Sequence, residues 1–124
     1  MRKFEPTDYE QLVRWWNKWE FPPPPLSLLP PTGYIIPGLA AGFMYLTDAP
    51  IGWMEWVVCN PDADKKERSK ALDEVINKLD AFGKSRDKVV SFTSSNSESY
   101  ISRLKRLGYV VGDVNTTQLM RNLK

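Results

Sequence analysis

The sequence predicts a single α/β (α+β) domain in which a mixed, mostly antiparallel sheet is flanked by helices. Two observations predict this class. Three apolar runs between Tyr34 and Val58 are separated by turns short enough for an antiparallel meander. A further run, Lys88–Thr93, follows an amphipathic helix, so the segment Ile51–Thr93 predicts a right-handed parallel crossover. The expected element order is β-α-β-β-β-α-β-α-β-β.

The N-terminal part predicts a short strand, Arg2–Glu5, followed by an aromatic helix. Thr7 and Glu10 form a capping-box pattern, in which a hydroxyl and a carboxylate three residues apart satisfy amides at a helix start. Apolar residues then recur at the spacing of one helix face, namely Leu12, Trp15, Trp16 and Trp19. The prolines Pro22–Pro25 lack the amide proton that continues a helix, so an extended surface connection is expected as far as Pro31.

The meander itself is bounded by turn residues. Its predicted strands are Tyr34–Ile36, Leu39–Leu46 and Ile51–Val58. Pro37-Gly38 closes the first strand, and Asp48-Ala49-Pro50 turns the chain into the third. Gly42 weakens the middle strand.

A second helix follows the charged stretch Asp62–Lys70 and is expected to end at Gly83. Its apolar residues lie at helical spacing, namely Leu72, Val75, Ile76, Leu79 and Phe82. The strand Lys88–Thr93 comes next. It is followed by a second capping-box pattern at Ser95 and Glu98.

The third helix should bury Ile101, Leu104 and Leu107 and end at Gly108. Two closing strands are then expected around the turn Asp113–Asn115, namely Tyr109–Val111 and Thr116–Leu123.

Composition narrows the possible functions. With 124 residues and 42% hydrophobic content, residues 1–124 are expected to form one domain with its own core. No apolar run approaches the ~20 residues that cross a bilayer, so no membrane partner is expected. Cys59 is the one cysteine, which predicts a cytoplasmic protein without disulfides. The absence of histidine excludes His-dependent nucleophile pairs and imidazole metal ligands, and no metal is expected.

The order of elements and the residues between them resemble the GNAT N-acetyltransferase family over nearly the whole chain. Ile51–Pro61 resembles the family's fourth strand, which ends in a proline-containing turn, and Ser69–Leu72 resembles the start of its cofactor-binding helix. Asn96, followed by Leu107-Gly108-Tyr109, resembles the family's late Asn and its helix ending in Gly-aromatic. The resemblance implies that the fourth and fifth strands part and that the pantetheine arm of acetyl-CoA lies between them.

The cofactor loop of that family is degenerate in this chain. The pattern (Gln/Arg)-x-x-Gly-x-(Gly/Ala) falls on Asp64, Glu67 and Ser69, so both glycines that let amides approach a pyrophosphate are missing. The resemblance nevertheless implies cofactor contacts from the fourth strand, the turn and the late asparagine, namely Val57, Val58, Cys59, Lys65, Lys66, Arg68, Ser69, Lys70, Ala71 and Asn96.

Ordinary structural roles compete with several of these contacts. The four cations at the turn suit a phosphate cradle, or a solvated first helical turn with Asp64 as N-cap and Glu67 completing a capping box. Cys59 suits a small core residue, and Asn96 a turn or helix-cap residue.

Glu55 is the candidate general base. Strand alternation places it on one face with Ile51, Trp53 and Val57, where a carboxylate must be paired, protonated or face a wet cleft. The resemblance implies that it deprotonates an amine; a solvated or ion-paired sheet face is the alternative. The family's usual acid, a tyrosine, falls on Leu104, which leaves Tyr100 as a substitute or as a packing residue.

The aromatic residues near the prolines also carry two interpretations. The tryptophans of the first helix fit a buried stripe. Alternatively, an acceptor pocket could be walled by aromatic side chains, namely Trp16, Trp19, Phe21 and Trp53.

Two functions are therefore expected from different classes. One is an acetyl-CoA-dependent N-acetyltransferase that transfers the acetyl group directly to a small-molecule or peptide amine. The alternative is a catalytically degenerate GNAT-fold binding module that acts on a protein partner through its Trp/Pro-rich surface. The basic stretch Lys65–Lys70 has no interleaved aromatics, which argues against nucleic acid. The edge of the closing strand pair predicts a possible homodimer.

Overall fold

The computed structural model describes Met1–Lys124 and contains a five-stranded sheet whose strands lie in sequence order. The strands are β1 (Arg2–Lys3), β2 (Gly33–Ile36), β3 (Ala40–Leu46), β4 (Ile51–Cys59) and β5 (Val90–Phe92). All neighbouring strands are antiparallel except β4 and β5, which are parallel. The mixed, mostly antiparallel α/β fold, the meander and the parallel pairing across the helical connection are confirmed.

The chain divides into two units, Met1–Ser94, which holds the sheet, and Ser95–Lys124. The first unit contains the helices α1 (Tyr9–Lys18) and α2 (Lys65–Ser85), and the second contains α3 (Glu98–Arg106). No helix combines the length and apolar content needed to cross a membrane.

The start of α1 differs from the prediction. A 3₁₀ turn at Pro6–Asp8 precedes the helix, and the Asp8 carboxylate accepts the Glu5 amide N–H at 2.9 Å. The predicted capping pair, Thr7 and Glu10, is therefore wrong. The 3₁₀ turn that leads into α1 starts at Pro6 and is capped by Glu5, two residues before the predicted cap.

One face of the sheet packs against α1. The shared core consists of Leu12, Trp15, Trp16, Ile35, Ala41, Phe43 and Val58. The fourth residue of the predicted aromatic stripe, Trp19, lies just past the end of α1 and is 47% exposed. Helical spacing thus placed three of the four apolar residues correctly.

The other face packs against α2, which buries Ala71, Val75, Ile76, Leu79 and Gly83. The prediction that Gly83 ends this helix is wrong, since α2 continues to Ser85. A Cβ on Gly83 would lie 3.0 Å from the Met44 sulfur, so this glycine allows the helix and the sheet to approach closely.

A β-bulge interrupts β4 where it pairs with β3. Phe43 faces Glu55 and Ala41 faces Val58, so that Gly42 alone is opposite both Trp56 and Val57. Trp56 adopts a left-handed φ of 61°, which is rare for a bulky residue and costs about 1–3 kcal/mol.

The bulge reverses the alternation of side chains along β4. Glu55 stays on the Phe43 side, which faces α1. Val57 lies against the Gly42 position with Val75 and Leu79, on the α2 side. The prediction that Glu55 and Val57 share a face is therefore wrong, because strict alternation assumes an unbulged strand.

In the second unit, the N-cap of α3 is Ser97, whose hydroxyl accepts the Tyr100 amide N–H at 3.4 Å. The cap is therefore Ser97 and not the predicted Ser95. The helix ends at Gly108 as predicted, with a φ of 102°. The Tyr109 N–H donates to the Leu104 carbonyl at 2.9 Å, and the Gly108 N–H donates to the Lys105 carbonyl at 3.1 Å. This is the hydrogen-bond pattern of a Schellman motif.

Residues 109–124 form no strand, so the two predicted closing strands, Tyr109–Val111 and Thr116–Leu123, are wrong. Their aliphatic side chains are open to solvent, with Val110 at 89% and Met120 at 90% exposure, while Tyr109 is half-buried. A strand pair needs an apolar face that is covered to be stable, and exposed aliphatic side chains do not provide one. Of the apolar residues of α3, Leu104 is buried, and Ile101 and Leu107 are half-buried.

Candidate active site on the fourth strand

The second half of β4 has a strand on one side only. Pairing between β4 and β5 ends at Trp53 and Phe92, and the Thr93 hydroxyl then donates to the Met54 carbonyl at 2.8 Å. Beyond this point β4 is paired with β3 alone, as far as Cys59. Its other edge can therefore offer backbone groups to an extended ligand.

Three predicted cofactor contacts, Val57, Val58 and Cys59, lie along this half of β4. The side chains of Val58 and Cys59 are buried, so any contact would come from their backbone, as the resemblance implied. One backbone group is already engaged, because the Trp19 indole N–H donates to the Cys59 carbonyl at 2.8 Å. That bond ties the end of α1 to the end of β4.

Glu55 lies at the start of this half, directly before the bulge. Its side chain is half-buried, and one carboxylate oxygen accepts the Trp53 indole N–H at 2.9 Å. No lysine or arginine forms an ion pair with it. A carboxylate without a cation partner thus lies where the pairing between β4 and β5 ends.

Aromatic rings border this carboxylate on the α1 face of the sheet. The Trp53 ring meets Phe92 edge to face, with ring centroids 5.7 Å apart. On the other side, the Trp56 indole N–H donates to the Tyr45 hydroxyl at 3.0 Å, and its ring meets Phe21 at 6.3 Å. The Tyr45 hydroxyl in turn donates to the Leu28 carbonyl at 2.7 Å, which fixes the Pro-rich connection against the sheet.

Sequence reasoning missed three of these rings, Tyr45, Trp56 and Phe92. Alternation along β3 could have placed Tyr45 on the face of Phe43. The orientation of Trp56 had no sequence signal, because it depends on the bulge.

The predicted acceptor wall needs one correction. Trp16 is 2% exposed and belongs to the core, so no ligand can reach it. Trp19 and Phe21 are 47% and 50% exposed, and Trp53 is half-buried beside Glu55. These three side chains remain open to a ligand.

The turn between β4 and α2 does not form an amide cradle for phosphate. The Asp64 carboxylate caps α2 and accepts the amide N–H groups of Lys66 and Glu67, both at 3.1 Å. These amides would otherwise be free to bind an anion at the helix start. The N-cap alternative for Asp64 is thus what the structure contains.

Arg68 is also directed into its own turn. Its guanidinium donates to the Pro61 carbonyl at 2.6 Å and lies 5.7 Å from the centroid of the Trp19 ring. Of the predicted cationic contacts, Lys65, Lys66 and Lys70 are exposed. Ser69 is half-buried and Ala71 is buried beneath them, so the lysines carry the accessible charge.

The other predicted site residues, Asn96 and Tyr100, lie in the second unit. Asn96 is exposed and precedes the Ser97 cap, and Tyr100 is half-buried in the first turn of α3. Their roles toward a cofactor or substrate stay predictions. No group of three or more Cys, Asp or Glu side chains is arranged to hold a metal ion.

A cavity of about 720 Å³ lies away from this site, at the opposite end of β4 and on its α2 side. Its apolar lining includes Met44, Gly52 and Gly83, and its rim includes Lys84 and Lys88. The cavity does not contain Glu55 or the bulge. It is separate from the candidate active site.

Neither a protein-family model nor a curated protein matches this sequence. Several solved structures match it, and two of them are compared over almost the whole chain. An acetyltransferase of Trypanosoma brucei is 15% identical with a TM-score of 0.65, covering 98% of this chain and 97% of that one. A protein of Agrobacterium tumefaciens, provisionally assigned as an acetyltransferase, is 11% identical with a TM-score of 0.68, covering 98% of both chains. At these identities the likeness concerns the fold alone: the chain shares the fold of these two proteins, a mixed α/β fold of the kind that its sequence predicted.

Proposed function

We propose that this protein is an N-acetyltransferase that moves the acetyl group of acetyl-CoA directly to a primary amine. One observation carries the proposal: the unpaired edge of β4 begins beside Glu55, a half-buried carboxylate without a cation partner. A strand edge that can bind an extended acyl carrier and a base that can activate an amine thus lie next to each other.

Glu55 would remove the proton that the amine must lose, either directly or through a water molecule. The amine nitrogen forms a bond to the acetyl carbonyl carbon while the bond from that carbon to sulfur breaks, and the CoA sulfur leaves as the thiolate. Backbone N–H groups near Val58 would donate to the carbonyl oxygen, where negative charge develops. The exposed rings of Trp19, Phe21 and Trp53 would hold the acceptor, so the Trp/Pro-rich surface becomes part of the active site.

The nucleotide end of acetyl-CoA should bind to this turn differently from the way it binds to a glycine-lined loop. Asp64 already occupies two amides at the start of α2. The pyrophosphate would then rely on the exposed ammonium groups of Lys65, Lys66 and Lys70. Exposed charges are screened by salt, so we expect weak binding that depends strongly on ionic strength.

The test is a thermal shift and calorimetric titration with acetyl-CoA. A ligand that binds the native state raises its stability, so Tm should increase at millimolar acetyl-CoA, and this increase should shrink as NaCl is added. Acetyl-pantetheine, which lacks the nucleotide, is the matched control; its weaker binding should show little salt dependence. The absence of any stabilisation by acetyl-CoA at millimolar concentration would overturn the proposal.

A further inference from the structure

Glu55 differs from the acids of the first unit that form ion pairs. Asp8 forms an ion pair with Arg2, and Asp62 forms one with Lys18. Glu55 accepts one hydrogen bond, from the neutral Trp53 indole, and forms no ion pair. A half-buried carboxylate without a cation has lost part of its hydration without a compensating charge. A ligand that supplies one positive charge would complete this pairing.

The surroundings of Glu55 are aromatic. Phe92, which contacts Trp53, is 45% exposed, and Phe21, which contacts Trp56, is 50% exposed. Tyr45 is the cross-strand partner of Trp53 and so a diagonal neighbour of Glu55 on the same face. Aromatic faces attract cations, and exposed rings gain from covering by an apolar group.

We infer that the amine acceptor is a monocation carried on a flat apolar body, such as an arylalkylamine. This inference rests on the proposed function, because it names the acceptor class for the same site. The ammonium would lie against Glu55 and lose one proton to it, and the second proton, lost as nitrogen bonds to the acetyl carbon, would go to the departing CoA thiolate. The apolar body would lie against the rings of Trp53 and Phe92.

The same charges argue against a polyamine. A second ammonium would need a second unpaired acid, and the nearest acid along the chain after β4, Asp62, is already paired with Lys18. In the stretch that follows β4, residues 62–70, four cations outnumber three acids, so its net charge is positive and weakly repels a polycation.

The experiment measures the binding of four compounds to the full chain by calorimetry in the absence of acetyl-CoA. It then measures the acetylation rates of the three amines in the presence of acetyl-CoA. The four compounds are 2-phenylethylamine, ethylamine, spermidine and the neutral 3-phenylpropan-1-ol. We expect 2-phenylethylamine to bind at least about tenfold more tightly than each of the other three, a difference of about 1.4 kcal/mol. Among the three amines, the ranking of kcat/KM should be the same.

Variants separate the two parts of the site. Glu55→Gln keeps an oxygen that can accept the Trp53 indole N–H, and it should remove the preference for 2-phenylethylamine over the neutral alcohol. Phe92→Ala should remove most of the preference over ethylamine. Val89→Ala, at a side chain that is 79% exposed just before β5, is the matched control and should preserve both preferences.

Each outcome is decisive. Equal or higher kcat/KM with spermidine or ethylamine would support the proposed transferase and overturn the acceptor class. If 2-phenylethylamine binds selectively but acetyl-CoA neither binds nor is turned over, the result would support the cation site and overturn the proposed transferase. Where free amine does not bind measurably, the ranking of kcat/KM decides; absence of both binding and turnover overturns both proposals.

Discussion

The two halves of β4 differ in what lies beside them. In the first half, Ile51–Trp53, every residue pairs with β5, and Gly52 and Trp53 also pair with β3, in regular register. The second half, Glu55–Cys59, contains the bulge at Trp56 and has no strand on the β5 side. Bulges are common next to active sites because they redirect side chains and end strand pairing. The difference shows that one continuous apolar strand can pair on both sides at its start and leave one backbone edge unpaired at its end.

The largest expected effect tests whether the second half is catalytic. Glu55→Gln should lower kcat/KM for acetyl transfer by about 10²–10⁴-fold, because an amide cannot accept the proton of the amine. Acetyl-CoA binding and the circular dichroism spectrum should stay unchanged. Asp48→Asn, an exposed acid just before the first half, is the control and should retain full rate. Unchanged turnover in Glu55→Gln would remove this residue as the base.

The next effect compares packing beside the two halves by the same substitution. In Gly42→Ala, opposite the bulge, the new methyl group would lie 3.0–3.1 Å from Val57, Leu79 and Val75, which surround it. In Gly52→Ala, in the first half, the three nearest atoms all belong to the flexible Met44 side chain, the sulfur at 2.7 Å, and this side chain can turn toward the nearby cavity.

Overpacking typically costs about 1–3 kcal/mol, and we expect Gly42→Ala near the upper end and Gly52→Ala near or below the lower end. Urea unfolding with an unchanged slope m measures both values. Equal losses, or a larger loss for Gly52→Ala, would show that the bulged half is the more tolerant one.

A smaller effect concerns the turn that follows the second half. Asp64→Ala should lower the free energy of unfolding by about 1 kcal/mol, since it removes the N-cap of α2. The same change frees the amides of Lys66 and Glu67 and removes a negative charge, so acetyl-CoA should bind more tightly. Asp48→Ala removes one charge elsewhere and should leave the dissociation constant unchanged. Weaker acetyl-CoA binding in Asp64→Ala would mean that the pyrophosphate lies away from the start of α2.

The smallest effect lies far from both halves in sequence. The Arg2 guanidinium donates two hydrogen bonds to Asp8, at 2.7 and 2.8 Å, and lowers the pKa of that carboxyl below its usual value. A lowered carboxyl pKa stabilises the fold above the unfolded-state pKa, and this stabilisation is lost as pH falls through the folded-state pKa. Asp8→Asn should therefore reduce Tm slightly at pH 7 and not at all near pH 2. A Tm difference that persists at pH 2, or a change in acetyl transfer, would contradict a purely local charge effect.

Much of the fold followed from local patterns. The turn residues around Pro37 and Asp48 predicted the meander within one or two residues of its strands. The spacing from Leu72 to Leu79 predicted α2, and Gly108 predicted the end of α3. Glu55 also followed from local reasoning, because a carboxylate in an apolar strand stands out.

Other features depended on contacts that the local sequence does not encode. The Trp56 bulge arises because two residues of β4 face the single Gly42 of β3, and strand register is a property of both strands together. For this reason Val57 was expected on the face of Glu55 and lies on the opposite one. Trp16 could not be assigned to core or ligand wall until the α1 packing was known.

The sequence by itself thus determined the order of the elements from β1 to α3, the approximate positions of the helices and the acid at the centre of the candidate site. Hydrophobic period and turn chemistry act over a few residues, so they can be recognised without any partner segment. Only the tertiary structure decided where β4 bulges, that its end lacks a neighbour, which rings border Glu55 and that Asp64 occupies the amides of α2. These features are set by pairing register and by competition for hydrogen bonds, which are known only once the segments have been brought together.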